Sequence, residues 1–382
     1  MDEPLHHLRR IDVAQVQAIE RCWKRSFNWR SRDREGIALI KTDRFRWLLL
    51  ALGVVGVFIS CCEPTQAAMK LMTNSRVPGF LQIRSSVARG PLASSRTIAV
   101  GNSSLQVDFA QGEMDLATPM VLAWVQHAAD AVVAYYGRFP VSKARILIVP
   151  ETGERGVLQG TTWGNRDGFQ GFTRMRIGQH TTEHDLAEDW TMTHELVHMG
   201  FPDLPDNQHW MEEGLATYIE PVARVQTGEL QASQIWQDMM DGMPKGEPAA
   251  GDHGMGRTHT WGRTYWGGAM FCLVADVEIR RKTENRKGLQ DALRAIVDAG
   301  GAIDEEWPLI KSLQIGDKAT GTTVLTELYK RWNDQPVNVD LGLLWKELGV
   351  RSAHSENKGA ELDDTAPLAK IREAITLPRA PR

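Results

Sequence analysis

His194-Glu195-Leu196-Val197-His198 is the stretch of this chain whose residue types and spacing can do chemistry. On a helix, positions i and i+4 share one face, so both imidazoles of an H-E-x-x-H run can meet one zinc ion. The intervening Glu195 is rotated off that face, close enough to reach a zinc-bound water without ligating the metal itself. A hydrolytic zinc takes three protein ligands and keeps a fourth position open. Trp210 to Glu220, WMEEGLATYIE, follows after Pro202 and Pro205, and a second helix is expected to start near Gln208. A carboxylate early in that helix can return to the metal. Two His plus one Glu suit a catalytic zinc and disfavour a structural finger.

HELVH followed by EGLATYIE resembles the gluzincin zinc peptidases, whose third ligand is the Glu of an E-G-x-A-x-Y stretch. By that resemblance the ligands of one Zn2+ are His194, His198 and Glu213, with Glu212 the substitute if the register is off by one. Downstream, Tyr265-Trp266-Gly267-Gly268-Ala269 is similar to the Y-x-x-G-A segment of the membrane alanyl aminopeptidases, and closer still to the glycyl aminopeptidase family. The resemblance gives Tyr265 the role of holding the oxyanion, while packing among Trp261 and Trp266 is its plain alternative. Glu220, seven residues beyond Glu213, shares its face and is a candidate for orienting a ligand imidazole, or else a surface charge. The alanyl enzymes carry a G-x-M-E-N stretch whose Glu grips the substrate amine. Gly171-Phe172-Thr173-Arg174-Met175 occupies the comparable region without an acid, and the strand at 168–178 is the expected partner of an extended substrate. Residues 283–382 read as helices, so the PDZ domain usual in glycyl aminopeptidases is expected to be absent.

The expected reaction is zinc-dependent hydrolysis of peptide or protein substrates. Zinc lowers the pKa of bound water from 15.7 to about 7, and Glu195 serves as general base and then acid. The alternatives are a strict aminopeptidase of the glycyl or alanyl type, and a catalytically silent zinc-binding envelope protein that binds peptides.

These residues need positioning elements. The expected fold is α+β: a thermolysin-like (gluzincin) zinc peptidase core, preceded by a small β-containing segment and followed by a helical region. Strands are expected within Thr97–Ala110, turning at Gly101-Asn102, and at Arg145–Val149 and Gly168–Gly178. Thr118, Pro119 and Gly137 bracket a helix whose Val121, Trp124, Val125, Ala128, Val132 and Tyr135 recur at helical spacing. Further helices are expected at 267–281, 288–299, 321–332 and 366–375. Asp276 lies within an otherwise apolar helix, where a boundary-facing carboxylate is expected ahead of a buried, paired one; Cys272 reads as a packing residue. His180, His184, His209, His253 and His259 receive no role, and Gly251–Gly268 reads as a flexible rim.

The chain has 382 residues, 42% hydrophobic and 24% charged, with a net charge of −4. Those values exclude disordered, collagen-like and disulfide-scaffold classes, and they provide no basic field for nucleic acid. Residues 1–46 carry eleven Lys/Arg against seven Asp/Glu and read as a charged cytoplasmic leader. Residues 47–62, WLLLALGVVGVFISCC, form the one strongly apolar run. Basic residues before it keep that side cytoplasmic. It fits an uncleaved signal anchor, a signal cleaved near Thr65–Ala68, or an imperfect lipobox that lipidates Cys61; a buried core helix is the plain alternative. Each of the first three puts the remainder on the extracytoplasmic face of the membrane or in the periplasm. The remainder divides into a linker at 63–95, a catalytic domain at 96–282 and a helical region at 283–382.

Overall fold

The computed structural model describes residues 91–352 and 359–378. The leader, the apolar run at 47–62 and Cys61 lie outside the described residues, so the anchoring alternatives stand as sequence expectations. No helix among the described residues is long and apolar enough to cross a membrane.

The chain is a mixed α+β structure built on one five-stranded sheet, in the order β1-β2-β3-β5-β4. Strands β1 (Leu92–Val100) and β2 (Ser103–Ala110) form an antiparallel hairpin. Its turn is Gly101-Asn102, where Gly101 takes the left-handed φ of +56° that such a tight turn requires. Helix α1 (Thr118–Tyr136) then crosses over to β3 (Lys143–Glu151), which pairs parallel to β2. Ala117 caps α1, one residue ahead of the expected Thr118, with Pro119 in the first turn and Gly137 left-handed at the far end.

Strands β4 (Val157–Arg166) and β5 (Phe169–Gly178) form the second hairpin. Strand β5 is paired on both sides, parallel to β3 and antiparallel to β4. This corrects the expectation that the 168–178 strand receives substrate, since its backbone groups are already used. Strand β4 is the edge.

Five elements follow that build the centre of the molecule: α2 (Glu183–Ala187), α3 (Thr191–Val197), α4 (His209–Gln226), α5 (Ala232–Gly242) and α6 (Gly268–Lys282). Helix α4 runs on through Pro221. Helices α7 (Leu289–Asp298), α8 (Leu309–Thr320), α9 (Val324–Asp334), α10 (Leu341–Leu348) and α11 (Ala369–Thr376) make the C-terminal region mostly helical. A two-stranded ribbon, β6 (Val350–Arg351) with β7 (Glu361–Leu362), interrupts it.

Alternation along the sheet sets the core. Ala144, Ile146 and Ile148 of β3 are fully buried and join one apolar cluster with Val121, Val125 and Val132 of α1. All seven residues of α3 are buried. Helices α4 and α6 cross backbone to backbone: a Cβ on Gly214 would lie 2.4 Å from the Cα of Gly268. The residues just before these two glycines include Glu213 and Tyr265, so the crossing brings those side chains to one place.

Candidate metal centre and active site

Helix α3 delivers His194 and Glu195, and the tight turn His198–Gly200 that follows delivers His198. Helix α4 supplies Glu213 from its second turn. Ligand atoms of His194, His198 and Glu213 all lie within 4.8 Å of one another. Glu213 Oε2 is 3.1 Å from His194 Nε2 and 3.7 Å from His198 Nε2. The imidazoles stand nearly perpendicular, their ring centres 5.0 Å apart.

Burial governs the electrostatics. It pushes His198 down to about 4, against the pull of Glu213, so its imidazole is the neutral form that ligates metals. Burial also disfavours a charged His194, but the hydrogen bond to Glu213 and the charges of Glu213, Glu195 and Glu220 outweigh it and raise the ring's affinity for a proton. Burial alone would raise Glu213; the three surrounding histidines hold it well below the usual carboxylate range instead.

Glu195 is pushed up to about 7, mainly by burial, with His194 and a hydrogen bond from Thr162 opposing. It lies against the edge strand. Thr162 Oγ1 donates to Glu195 Oε2 at 2.7 Å, and a Cβ on Gly160 would come within 2.4 Å of Glu195 Cγ. Only glycine at 160 lets this side chain lie so close to the strand.

Tyr265 sits in a single π-helical turn, Arg263–Gly267, that leads into α6. Such turns are frequent at functional sites. Its ring stacks 5.8 Å from Trp261 and 6.4 Å from His194. Burial, then the charges of Glu213 and Glu195, keep its phenol protonated well above its usual range. The turn is pinned by Arg263, which donates to the Gly246 carbonyl at 2.5 Å and pairs with buried Asp252 at 2.8 Å. Met255 N–H also donates to the Trp332 carbonyl at 2.8 Å. The expected flexible rim at Gly251–Gly268 is thus tied down by these backbone and ion-pair contacts.

Glu220 is buried, with Oε1 accepting from Arg224 Nη1 at 3.0 Å, and its charge is felt at His194. Glu212 points elsewhere: Oε1 accepts from Leu204 N–H at 2.9 Å, and Oε2 lies 3.0 Å from His209 Nδ1. The structure therefore gathers His194, Glu195, His198, Glu213 and Tyr265, and separates Glu212 from the cluster of ligand atoms. Sequence reasoning missed Gly160, Thr162 and His209. For His209 the signal was present, since it stands four residues before Glu213 on one helix. For Gly160 and Thr162 no motif marks the edge strand, which among its ten residues carries no Asp or Glu at all.

No protein-family model matches the chain, and no curated protein matches it. Solved structures do. An aminopeptidase N family protein from Idiomarina loihiensis aligns with a TM-score of 0.50 at 13% identity, over 72% of this chain and 53% of that one. An M1 zinc metallopeptidase from Deinococcus radiodurans aligns with a TM-score of 0.44 at 16% identity, over 66% and 54% respectively. The chain spans about half the length of these structures. At such identities the likeness concerns architecture, and it is the first of the two that carries it: the fold of this chain is similar to part of an aminopeptidase N family protein.

Proposed function

We propose that this protein is a zinc-dependent peptidase with a thermolysin-like core. The observation that carries the reading is the convergence of two imidazoles and one carboxylate from separate elements within 4.8 Å, beside a buried glutamate held against an open sheet edge. The donor set fits zinc. Both histidines offer Nε2 and Glu213 offers one oxygen, 3.1 and 3.7 Å from those two nitrogens. His194, His198 and Glu213 would hold the metal. When bound, zinc supplies Lewis acidity, which brings the pKa of water from 15.7 to about 7.

Glu195 takes the proton of the attacking water and returns it to the leaving amine. A carboxyl near 7 suits both directions of transfer at neutral pH. The protonated Tyr265 hydroxyl donates to the carbonyl oxygen as negative charge grows there, a contact of the kind that typically contributes about 10²–10³ in rate. Strand β4 leaves one row of backbone groups unpaired, and an extended peptide can add to that edge. The absence of a carboxylate on β4 argues for cleavage within chains over strict removal of N-terminal residues. Retention of Glu195 argues against a silent binding protein. We further propose that the site works on the extracytoplasmic face of a membrane, tethered through residues 47–62 or a lipid on Cys61, on the strength of the apolar run and its basic approach.

The test is mass-spectrometric mapping of a defined peptide mixture, half of it N-acetylated, after incubation with the zinc-loaded full chain in detergent. Glu195→Gln protein serves as the blank. Cuts inside acetylated peptides support the reading. Cuts confined to free N-termini convert it to an aminopeptidase, and no cleavage by zinc-loaded protein overturns it.

A further inference from the structure

We propose that His209 is a positioning residue of the metal centre: it holds one oxygen of Glu213 so that the other is left facing the ligand histidines. The proposal rests on the zinc reading above and extends it to a residue outside the ligand set.

Glu213 has its two oxygens divided. Oε2 lies 3.1 Å from His194 Nε2 and 3.7 Å from His198 Nε2, whereas Oε1 lies 3.1 Å from His209 Nε2. A free carboxylate would present either oxygen, or both, to a cation. Tying down Oε1 selects a single donor.

His209 is itself braced. Its Nδ1 lies 3.0 Å from Glu212 Oε2, and Glu212 Oε1 accepts the backbone N–H of Leu204 at 2.9 Å. A continuous path of contacts therefore runs from a fixed backbone group through Glu212 and His209 to Glu213. Each ring nitrogen of His209 therefore faces one carboxylate oxygen, Nδ1 that of Glu212 and Nε2 that of Glu213. The ring is also 53% exposed, so its loss removes little core packing.

The experiment measures the zinc dissociation constant of the full chain by chelator competition, for wild type and three variants. Outer partners of metal ligands typically change affinity by about 10–100-fold, and His209→Ala is expected to weaken zinc by that factor. Glutamine places an amide N–H where Nε2 stands, so His209→Gln should recover most of the affinity. Asparagine reaches only as far as Nδ1, so His209→Asn should behave like alanine. The unfolding temperature of the zinc-free protein should not change across the series. Wild-type affinity in His209→Ala overturns the proposal, as does equal weakening in all three variants together with a lower zinc-free unfolding temperature. Zinc affinity is read without activity. A chain that binds zinc and cuts no peptide removes the peptidase reading, while the affinity series still decides His209.

Discussion

The Thr162 hydroxyl on the edge strand lies 2.7 Å from Glu195 Oε2 and 3.0 Å from the Glu195 carbonyl, so its one proton is within reach of both the acid and its backbone. Thr173 Oγ1, 2.9 Å away on the neighbouring strand, steadies that hydroxyl in turn. The sheet edge and the proposed base are thereby locked in one register. Hydrogen bonds to a charged group contribute about 1.5–3 kcal/mol. Thr162→Val should lower kcat about tenfold or more while leaving zinc content at the wild-type level, and Thr162→Ser should restore it. Steady-state kinetics on a fluorogenic peptide, paired with metal analysis, checks this. A valine variant as fast as wild type would show that Glu195 needs no such anchor.

Glu195 touches no ligand atom in a way that metal binding needs. Glu195→Gln keeps the shape and the Thr162 contact and removes the proton acceptor. Its kcat should fall by about 10²–10⁴, the range attributed to general acid–base catalysis, with one zinc still bound per chain. Retained hydrolysis would take Glu195 out of the mechanism.

Glu213 and Glu212 are adjacent in sequence yet do different work. Glu213→Ala removes the carboxylate that faces both imidazoles, and zinc content should drop to a small fraction of one per chain. Glu212→Ala removes the acceptor for Leu204 N–H. It should chiefly cost stability, about 1–3 kcal/mol for the unsatisfied group, and affect zinc less than Glu213→Ala does. Plasma emission analysis of the two purified variants decides the register. If Glu212→Ala were the variant that lost metal, the third ligand would have been placed one residue too late.

The part of this site legible in the sequence is the part where chemistry forces contiguity. Two imidazoles on one ion need i and i+4, and the E-G pair needs a glycine where α4 meets α6. Strand β4 was not legible, because VLQGTTWGNR has no apolar alternation. It is a strand by virtue of pairing with β5, and half of its surface faces α3 or solvent. One signal was present: Asp167-Gly168 is a hairpin turn, with both residues at positive φ. The helix at Leu309–Thr320 escapes the periodic reading because polar and charged residues interrupt its apolar face, and the one at Leu341–Leu348 because eight residues are too few to show a helical period. Asp276 was expected at a boundary and is 2% exposed. A carboxylate can sit that deep because Arg280, one turn later on the same helix, is buried with it.

Asp276 gives the stability prediction. Its carboxylate accepts from Arg280 Nε at 2.7 Å, from the Tyr218 hydroxyl at 2.9 Å and from Leu289 N–H at 2.9 Å. It therefore joins α6 to α4 and to the start of α7, behind the helices that carry Glu213 and lead from Tyr265. Removing one partner of a buried ion pair strands the other, at a cost of about 3–5 kcal/mol. With roughly 2–4 °C per kcal/mol for a domain of this size, Asp276→Ala should unfold about 6–20 °C below wild type. Replacing both partners by apolar residues leaves no stranded charge, so Asp276→Leu with Arg280→Met should recover much of that loss. Thermal unfolding followed by circular dichroism separates the cases. A single variant as stable as wild type would mean that the pair is not what holds these helices together. A double variant as unstable as the single would shift the weight to the Tyr218 and Leu289 contacts, which neither leucine nor methionine can replace.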